Sequence, residues 1–229
     1  MTPPDEIGRR ERKKLATRRL IAGTAVRLFL ERGFDAVSVA EIADAADVSK
    51  VTVFNYFPAK SDMVFELGEA ALADPAGAVH DRAPGQTPLQ AIRAYYFEAL
   101  DRRLEWTCLH DGVQPFARMM WASPTLLAAF AERAHQTEDA LAEELARVAG
   151  EPIWDLTPYS DLDTVSVPEA IGHRVVAAMI SRVIGELGRA NIGRMLSGMT
   201  ADEAEPGARA DAELAFELLE TGAGRFGAD

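Results

Sequence analysis

The chain has 229 residues, 48% of them hydrophobic and 26% charged, a globular balance that excludes a wholly disordered protein and allows one large or two small domains. Its one cysteine, Cys108, excludes an internal disulfide and a cysteine metal quartet, so a reducing cytoplasm is the expected compartment. No apolar run follows the N-terminal charges, so neither a signal peptide nor a membrane span is expected.

The net charge of −12 speaks at first against nucleic acid, but it is unevenly spread. Residues 1–60 hold eleven Lys or Arg against eight Asp or Glu, a net of +3, which leaves 13 basic against 28 acidic groups, a net of −15, for the remainder. All four lysines, Lys13, Lys14, Lys50 and Lys60, lie in the basic part. A basic end on an acidic body would orient the molecule on approach to DNA.

Residues 1–14 form a basic arm. Arg9, Arg10, Arg12, Lys13, Lys14, Arg18 and Arg19 crowd seven cations into eleven residues. Two readings are open: an arm lying along phosphates or entering the minor groove, or a solvated charged tail. Ile21, Ala25, Leu28 and Phe29 then give the apolar stripe of a helix from about Lys14 to Arg32, ended by Gly33.

Two short capped helices follow. Ser38 with Glu41 is a capping box, and Val37 and Ile42 flank it as a hydrophobic staple, so a helix should start at Val39. Ser49 repeats the device, with Val48 and Val53 as the second staple, and predicts a helix from about Lys50 to Tyr56. Between them the chain must turn sharply, and Asp47 is among the few non-glycine types that enter the left-handed region at small cost. Two helices joined by a tight turn suit insertion into a major groove, so residues 15–60 are expected to form a helix-turn-helix domain.

Here the sequence resembles the DNA-binding domain of the TetR family of transcriptional regulators. The likeness runs over roughly residues 15–65: an apolar first helix ending in Glu31-Arg32-Gly33-Phe34, then Ser38-Val39 with Ile42-Ala43, Val48-Ser49, Thr52, and Tyr56-Phe57 with Lys60. Asp47 and Val51 stand where that family usually has glycine, and Phe54 where tyrosine is common, so a phosphate contact through a hydroxyl at 54 is lost and the reading surface is more apolar. The resemblance implies an all-α protein with an N-terminal three-helix helix-turn-helix domain and a C-terminal helical domain, residues 61–229, for effector binding and dimerisation.

The rest of the chain reads as helical. A linking helix is expected at about 61–73, stopped by Asp74-Pro75, and a boundary loop from Pro75 to Pro88. Helices follow at about Leu89–Glu105, Val113–Trp121 and Thr125–Ala149, then a loop over 150–167. From Pro168 to Leu196 the apolar positions, Ile171, Val175, Val176, Met179, Ile180, Val183, Ile184 and Leu187 among them, cover more than one seam. Gly185, Gly188 and Gly193, with Ala208, Ala212, Ala215, Leu218 and Leu219 on a last helix, offer small surfaces for close approach. They fit either a two-fold four-helix interface between subunits, which the resemblance also implies, or an intrachain core.

The candidate DNA-binding residues are Arg18, Ser38, Ser49, Lys50, Thr52, Phe54, Asn55, Tyr56 and Lys60. Lys50, Thr52, Phe54 and Asn55 lie nearest base edges, where lysine donates to guanine, asparagine pairs with adenine and apolar groups touch a thymine methyl. Ser38, Ser49, Tyr56 and Lys60 suit phosphates. Tyr56 and Phe54 could equally be core. The expected partners are a double-stranded DNA operator, a second copy of the chain through the C-terminal helices and a small effector, with no membrane and no cofactor.

Aromatics and methionines gather between residues 95 and 130, where they line an apolar ligand cavity or fill a core. The candidate ligand residues are Phe97, Trp106, His110, Phe116, Met120, Trp121, His173 and Met179. The C-terminal half is similar to the TetR subgroup with an acyl-coenzyme-A-like effector domain, which implies a hydrophobic, acyl-type ligand. No HExxH, nucleophile elbow or Gly-rich phosphate loop is present, and Cys108 and His110, two residues apart, would point apart on a helix, so no enzyme is expected. The competing reading is a constitutive helix-turn-helix binder with a solid middle domain.

Overall fold

The computed structural model describes residues 8–67, 72–150 and 171–223. Among the described residues the chain is all-α, with ten helices, one short 3-10 turn and no strand. It divides into two compact units: residues 1–71 with 114–130, and residues 72–113 with 131–229.

The first unit is built on α1 (Arg9–Arg32), α2 (Val39–Ala45), α3 (Lys50–Tyr56) and α4 (Asp62–Leu67). Helix α1 begins five residues before the expected Lys14, so Arg9–Lys14 is helical. Its straight-chain residues are good helix formers, and Glu11 sits in the first turn, 4.0 Å from Lys14. Gly33, at φ 88°, ends the helix as expected.

Helices α2 and α3 have the expected limits. The capping box is formed in full: the Glu41 backbone N–H donates to Ser38 Oγ, and the Glu41 carboxylate accepts from the Ser38 backbone N–H at 2.8 Å. Ser49 Oγ accepts from the Thr52 backbone N–H at 3.0 Å. Asp47 makes the turn at φ 53°, in the left-handed region its side chain tolerates.

Phe29, Phe34, Val37, Ile42, Val53, Phe57, Met63 and Phe65 form the core of this unit, joined by Met119, Met120 and Leu126 from the 114–130 stretch. Phe29 and Phe34 meet with ring centroids 4.9 Å apart. The linking helix is described only over Asp62–Leu67; residues 68–71 lie outside the described residues and 72–73 are not helical.

In the second unit the expected loop from Pro75 to Pro88 contains a helix, α5 (Pro75–His80). Asp74 and Pro75 start it rather than stopping its predecessor. The Asp74 carboxylate accepts from the Gly77 backbone N–H at 2.9 Å, and Pro75 takes a first-turn position whose N–H would be unpaired in any case. Helix α6 (Pro88–Asp101) opens with a second full capping box, Thr87 with Gln90. It ends four residues before the expected Glu105, because Arg103 turns left-handed at φ 50° and sends its guanidinium to Asp202 and Glu205.

The 3-10 turn Glu105–Thr107 follows, and then α7 (Val113–Ala122) and α8 (Pro124–Ala149), whose residues 114–130 belong to the first unit. Of the loop expected at 150–167, Gly150 is described, at φ 69°, and the rest lies outside the described residues, as does the start of the helix expected from Pro168, which is described from Gly172, as α9 (Gly172–Leu196). Last comes α10 (Ala201–Ala223).

Ala204, Ala208, Ala212, Phe216 and Leu219 recur along one face of α10 and are buried within the unit, where Phe216 meets Tyr96 of α6 at 5.7 Å. Ala208, Ala212 and Leu219 therefore belong to the intrachain core rather than to a free small-residue surface. Ion pairs from Arg93, Arg194 and Arg209 to Glu213, Asp211, and Asp101 with Glu205 flank the same helix. Gly207 leaves room for the Arg194 side chain, whose Nε lies 3.0 Å from where a Cβ would stand.

Candidate nucleic-acid interface

Helix α3 buries Val53 and turns the strip of Lys50, Val51, Phe54 and Asn55 outward. Val51 is 69% and Phe54 47% exposed, so Phe54 is a surface residue; the buried ring beside it in sequence is Phe57. The Lys50 ammonium stands 5.9 Å from the Phe54 ring centroid, one helical turn away. Such a strip offers a cation, two apolar groups and a carboxamide, the chemistry that reads guanine, thymine methyl and adenine in a major groove.

Beside this strip runs a groove of about 780 Å³, lined by Arg10, Glu11, Lys13, Lys14 and Thr17 of α1 and by Thr52, Asn55 and Tyr56 of α3. Arg10, Lys13, Lys14 and Thr17 recur at the spacing of one helix face, and three cations face one carboxylate. Tyr56 lines the groove with its half-buried ring, which also packs on the core.

The remaining candidates have internal partners. Arg18 Nε meets Glu66 at 2.6 Å, its Nη1 donates to the Tyr56 carbonyl at 3.2 Å, and its guanidinium lies 4.8 Å from the Phe57 ring centroid. Lys60 donates to the carbonyls of Phe34 and Val37 at 2.8 and 3.0 Å. The Ser38 hydroxyl donates to Glu41 at 2.7 Å, and the hydroxyls of Ser49 and Thr52 share a hydrogen bond of 2.8 Å. The Ser38 backbone and side chain, with Arg32, hold the exposed Glu41 carboxyl down at about 2. Arg10, Lys13, Lys14 and Thr17 were not singled out by the helix-turn-helix pattern; their 0, 3, 4, 7 spacing was the available signal.

The eight candidate ligand residues fall in both units. Phe116 and Met120 pack on the core of the first, and Trp121 there is 49% exposed. In the second, Trp106 stacks on Tyr95 with centroids 5.2 Å apart, and Phe97 meets Tyr96 and Phe216 while Arg93 covers its ring at 4.8 Å. His173 is buried, His110 half-buried and Met179 38% exposed. A cavity of about 430 Å³ between α5 and α6 is lined by Asp74, Asp81, Arg82, Tyr95 and Glu98 among others, and none of the eight is on it.

Cys108 lies in a left-handed turn at φ 56°, and burial pushes its thiol up to about 11, away from nucleophile chemistry at neutral pH. Among the described residues no group of three or more His, Cys, Asp or Glu could hold a metal ion, and no helix is long and apolar enough to cross a membrane.

Fold and site together define an all-helical protein with an N-terminal helix-turn-helix. Residues 21–67 match the model of the bacterial regulatory proteins of the tetR family. The chain is 32% identical over 182 residues to the HTH-type transcriptional regulator TcmR of Streptomyces glaucescens, spanning 75% of this chain and 76% of that one. It belongs to the TetR family of transcriptional regulators.

The HTH-type transcriptional regulator LuxR of Vibrio harveyi is 38% identical over 66 residues, 28% of this chain and 32% of that one. Among solved structures, NalD of Pseudomonas aeruginosa, the secondary repressor of the MexAB-OprM multidrug efflux pump, shares the fold with a TM-score of 0.56 at 18% identity, over 90% of this chain and 96% of its own. Thermus thermophilus FadR, a TetR family transcriptional repressor in complex with lauroyl-CoA, does so at 0.50 and 22%, over 90% and 94%.

Proposed function

We propose that this regulator represses transcription from a palindromic operator, that it binds there as a homodimer, and that a small hydrophobic effector releases it. The observation that carries the DNA-binding part is the juxtaposition of the outward strip of α3 with the cationic groove along α1. In this reading Lys50, Val51, Phe54 and Asn55 face base edges, with apolar contact to thymine methyls favoured at 51 and 54. A phosphate strand follows the groove past Arg10, Lys13 and Lys14. Counterion release tests it directly. Replacing Lys13 and Lys14 together by alanine should weaken binding to every duplex and lower the slope of log affinity against log salt by about two for each head, about four for the dimer. An unchanged slope would remove the groove from the interface.

Two-fold pairing is supported by apolar groups left in solvent on the C-terminal helices. Ile171, just before α9, with Val175 and Met179 on it, stands at four-residue spacing, 57%, 46% and 38% exposed. Leu214 and Leu218 of α10 are 57% and 63% exposed. Packed against a second copy, these stripes would leave water together.

For the effector, FadR is a relative by fold whose ligand is lauroyl-CoA, and the aromatic and methionine content of residues 95–130 supports an apolar guest here. Release requires that the ligand prefer the DNA-incompetent state. A second reading, a constitutive binder, is favoured by the mutual packing of Trp106 on Tyr95 and of Phe97 on Tyr96 and Phe216, which fills space a guest would need. Operator affinity measured with and without lauroyl-CoA separates the two: a loss of affinity supports release by an acyl effector, and indifference supports the constitutive reading.

A further inference from the structure

Lysine at position 60 follows the reading helix and carries one of four lysine charges in the chain, which makes it a natural phosphate contact. Its geometry points elsewhere. The ammonium is half-buried, donates to the carbonyls of Phe34 and Val37 at 2.8 and 3.0 Å, and stands 4.2 Å from the centroid of the Phe34 ring and 5.8 Å from that of Phe29. Phe29, Phe34 and Val37 are 0%, 2% and 1% exposed, so the two aromatic faces and both carbonyls belong to a dry, fixed surface.

Those carbonyls occupy a particular place in the chain. They bracket Asp35 and Ala36 in the connection between α1 and α2, and Val37 is the residue immediately before the Ser38 cap. The capping box fixes the first turn of α2 from within, through Ser38 and Glu41, and the buried Val37 and Ile42 staple the entry on its apolar side, but neither holds the carbonyls of Phe34 and Val37. A cation clasping both carbonyls supplies that constraint, and its attraction is strengthened by charge and by the aromatic faces beneath it.

We propose that Lys60 is a positioning residue of the DNA-binding head: it locks the α1–α2 connection, and through it α2, and does not itself meet a phosphate. The inference rests on the DNA-binding reading of the head only for its consequence, since the clasp belongs to the DNA-free protein.

The four lysines, all within the head, allow a direct test on the wild-type chain by acetylation footprinting. In free protein Lys13, Lys14 and Lys50 should react rapidly and Lys60 at least about tenfold more slowly, as expected for an ammonium held in two hydrogen bonds. Adding a mixed-sequence DNA duplex at low salt should protect the first three and leave the rate at Lys60 unchanged. Reaction of Lys60 as fast as the others in free protein, with protection by duplex, would overturn the proposal.

Lys60→Met keeps the stem and removes the charge. It should weaken duplex binding about tenfold at every salt concentration with an unchanged salt slope, and should speed amide exchange across residues 38–45 of the free protein. A slope lowered by about one for each head, about two for the dimer, with exchange in α2 unaltered, would instead make Lys60 a phosphate contact. Should the wild-type protein bind no duplex at any salt, the DNA-binding reading fails, while footprinting and exchange of the free protein still decide the clasp.

Discussion

Arg18 of α1 meets Glu66 of α4 at 2.6 Å, and Glu66 keeps only 11% of its side chain exposed. The same guanidinium accounts for the carbonyl of Tyr56 at the end of α3, so one side chain ties three helices of the head. Replacing Arg18 by Met should lower the stability of the protein by ~2 kcal/mol, the size of charge-assisted hydrogen bonds lost around a largely buried carboxylate. Urea denaturation checks this, and a change under ~0.5 kcal/mol would show the tie to be incidental.

Glu41 supplies a pH dependence with a definite sign. Its carboxyl is lowered from 4.5 to about 2 by the Ser38 backbone, the Ser38 hydroxyl and Arg32. A depressed folded value means that its stabilising effect is complete above pH 4.5 and is lost as the pH falls through 4 and 3 towards about 2. Glu41→Gln keeps a capping residue but does not titrate, so its thermal midpoint should fall less steeply than that of wild type across that window. Parallel curves would exclude the carboxylate as a source of acid sensitivity.

At the start of α5, a methyl group on Gly77 would run into the Asp74 carboxylate that caps the helix. Gly77→Ala, ordinarily a gain in a helix, should therefore destabilise by ~1 kcal/mol through loss of the cap. In the double variant with Asp74→Ala the substitution should become neutral or stabilising. A Gly77→Ala protein more stable than wild type would show that the cap contributes nothing.

These examples divide what the sequence makes legible from what it does not. Ser38, Ser49 and Asp47 act on backbone groups within a few residues, so α2, the turn and α3 follow from local chemistry and fall at their expected limits. The early start of α1 and the first turn of α5 are also local, but the charge of the arm masks its helix propensity, and Asp74-Pro75 has the same sequence form as an ending and as a cap. What spacing could not reveal was tertiary. The partners of Arg18 and Lys60, namely Glu66 and the carbonyls of Phe34 and Val37, are brought within reach by the fold and have no signature in spacing. The left-handed turn at Arg103 likewise has its partners about a hundred residues away, at Asp202 and Glu205. The candidate ligand residues share composition and not location: the aromatic-rich stretch from 95 to 130, open to a reading as cavity lining or as core, is divided between the two units.

Association of two copies is tested at the exposed stripes. Val175→Glu with Leu218→Glu puts two like charges on faces that are 46% and 63% exposed in the single chain, so the fold should survive. Sedimentation should then shift from dimer to monomer, with operator affinity falling in parallel because each head alone contacts one half-site. A dimer that persists undiminished would place the interface elsewhere.

Operator recognition, as proposed, depends on α3 reading base edges in two symmetric half-sites. Selection of bound duplexes from a random-sequence library, run side by side with wild type and Asn55→Ala, measures this most directly. The wild type should enrich a palindrome, and Asn55→Ala should enrich the same palindrome with preference relaxed at one base position in each half. Enrichment of no sequence by the wild type, or of an identical motif by both proteins, would contradict it.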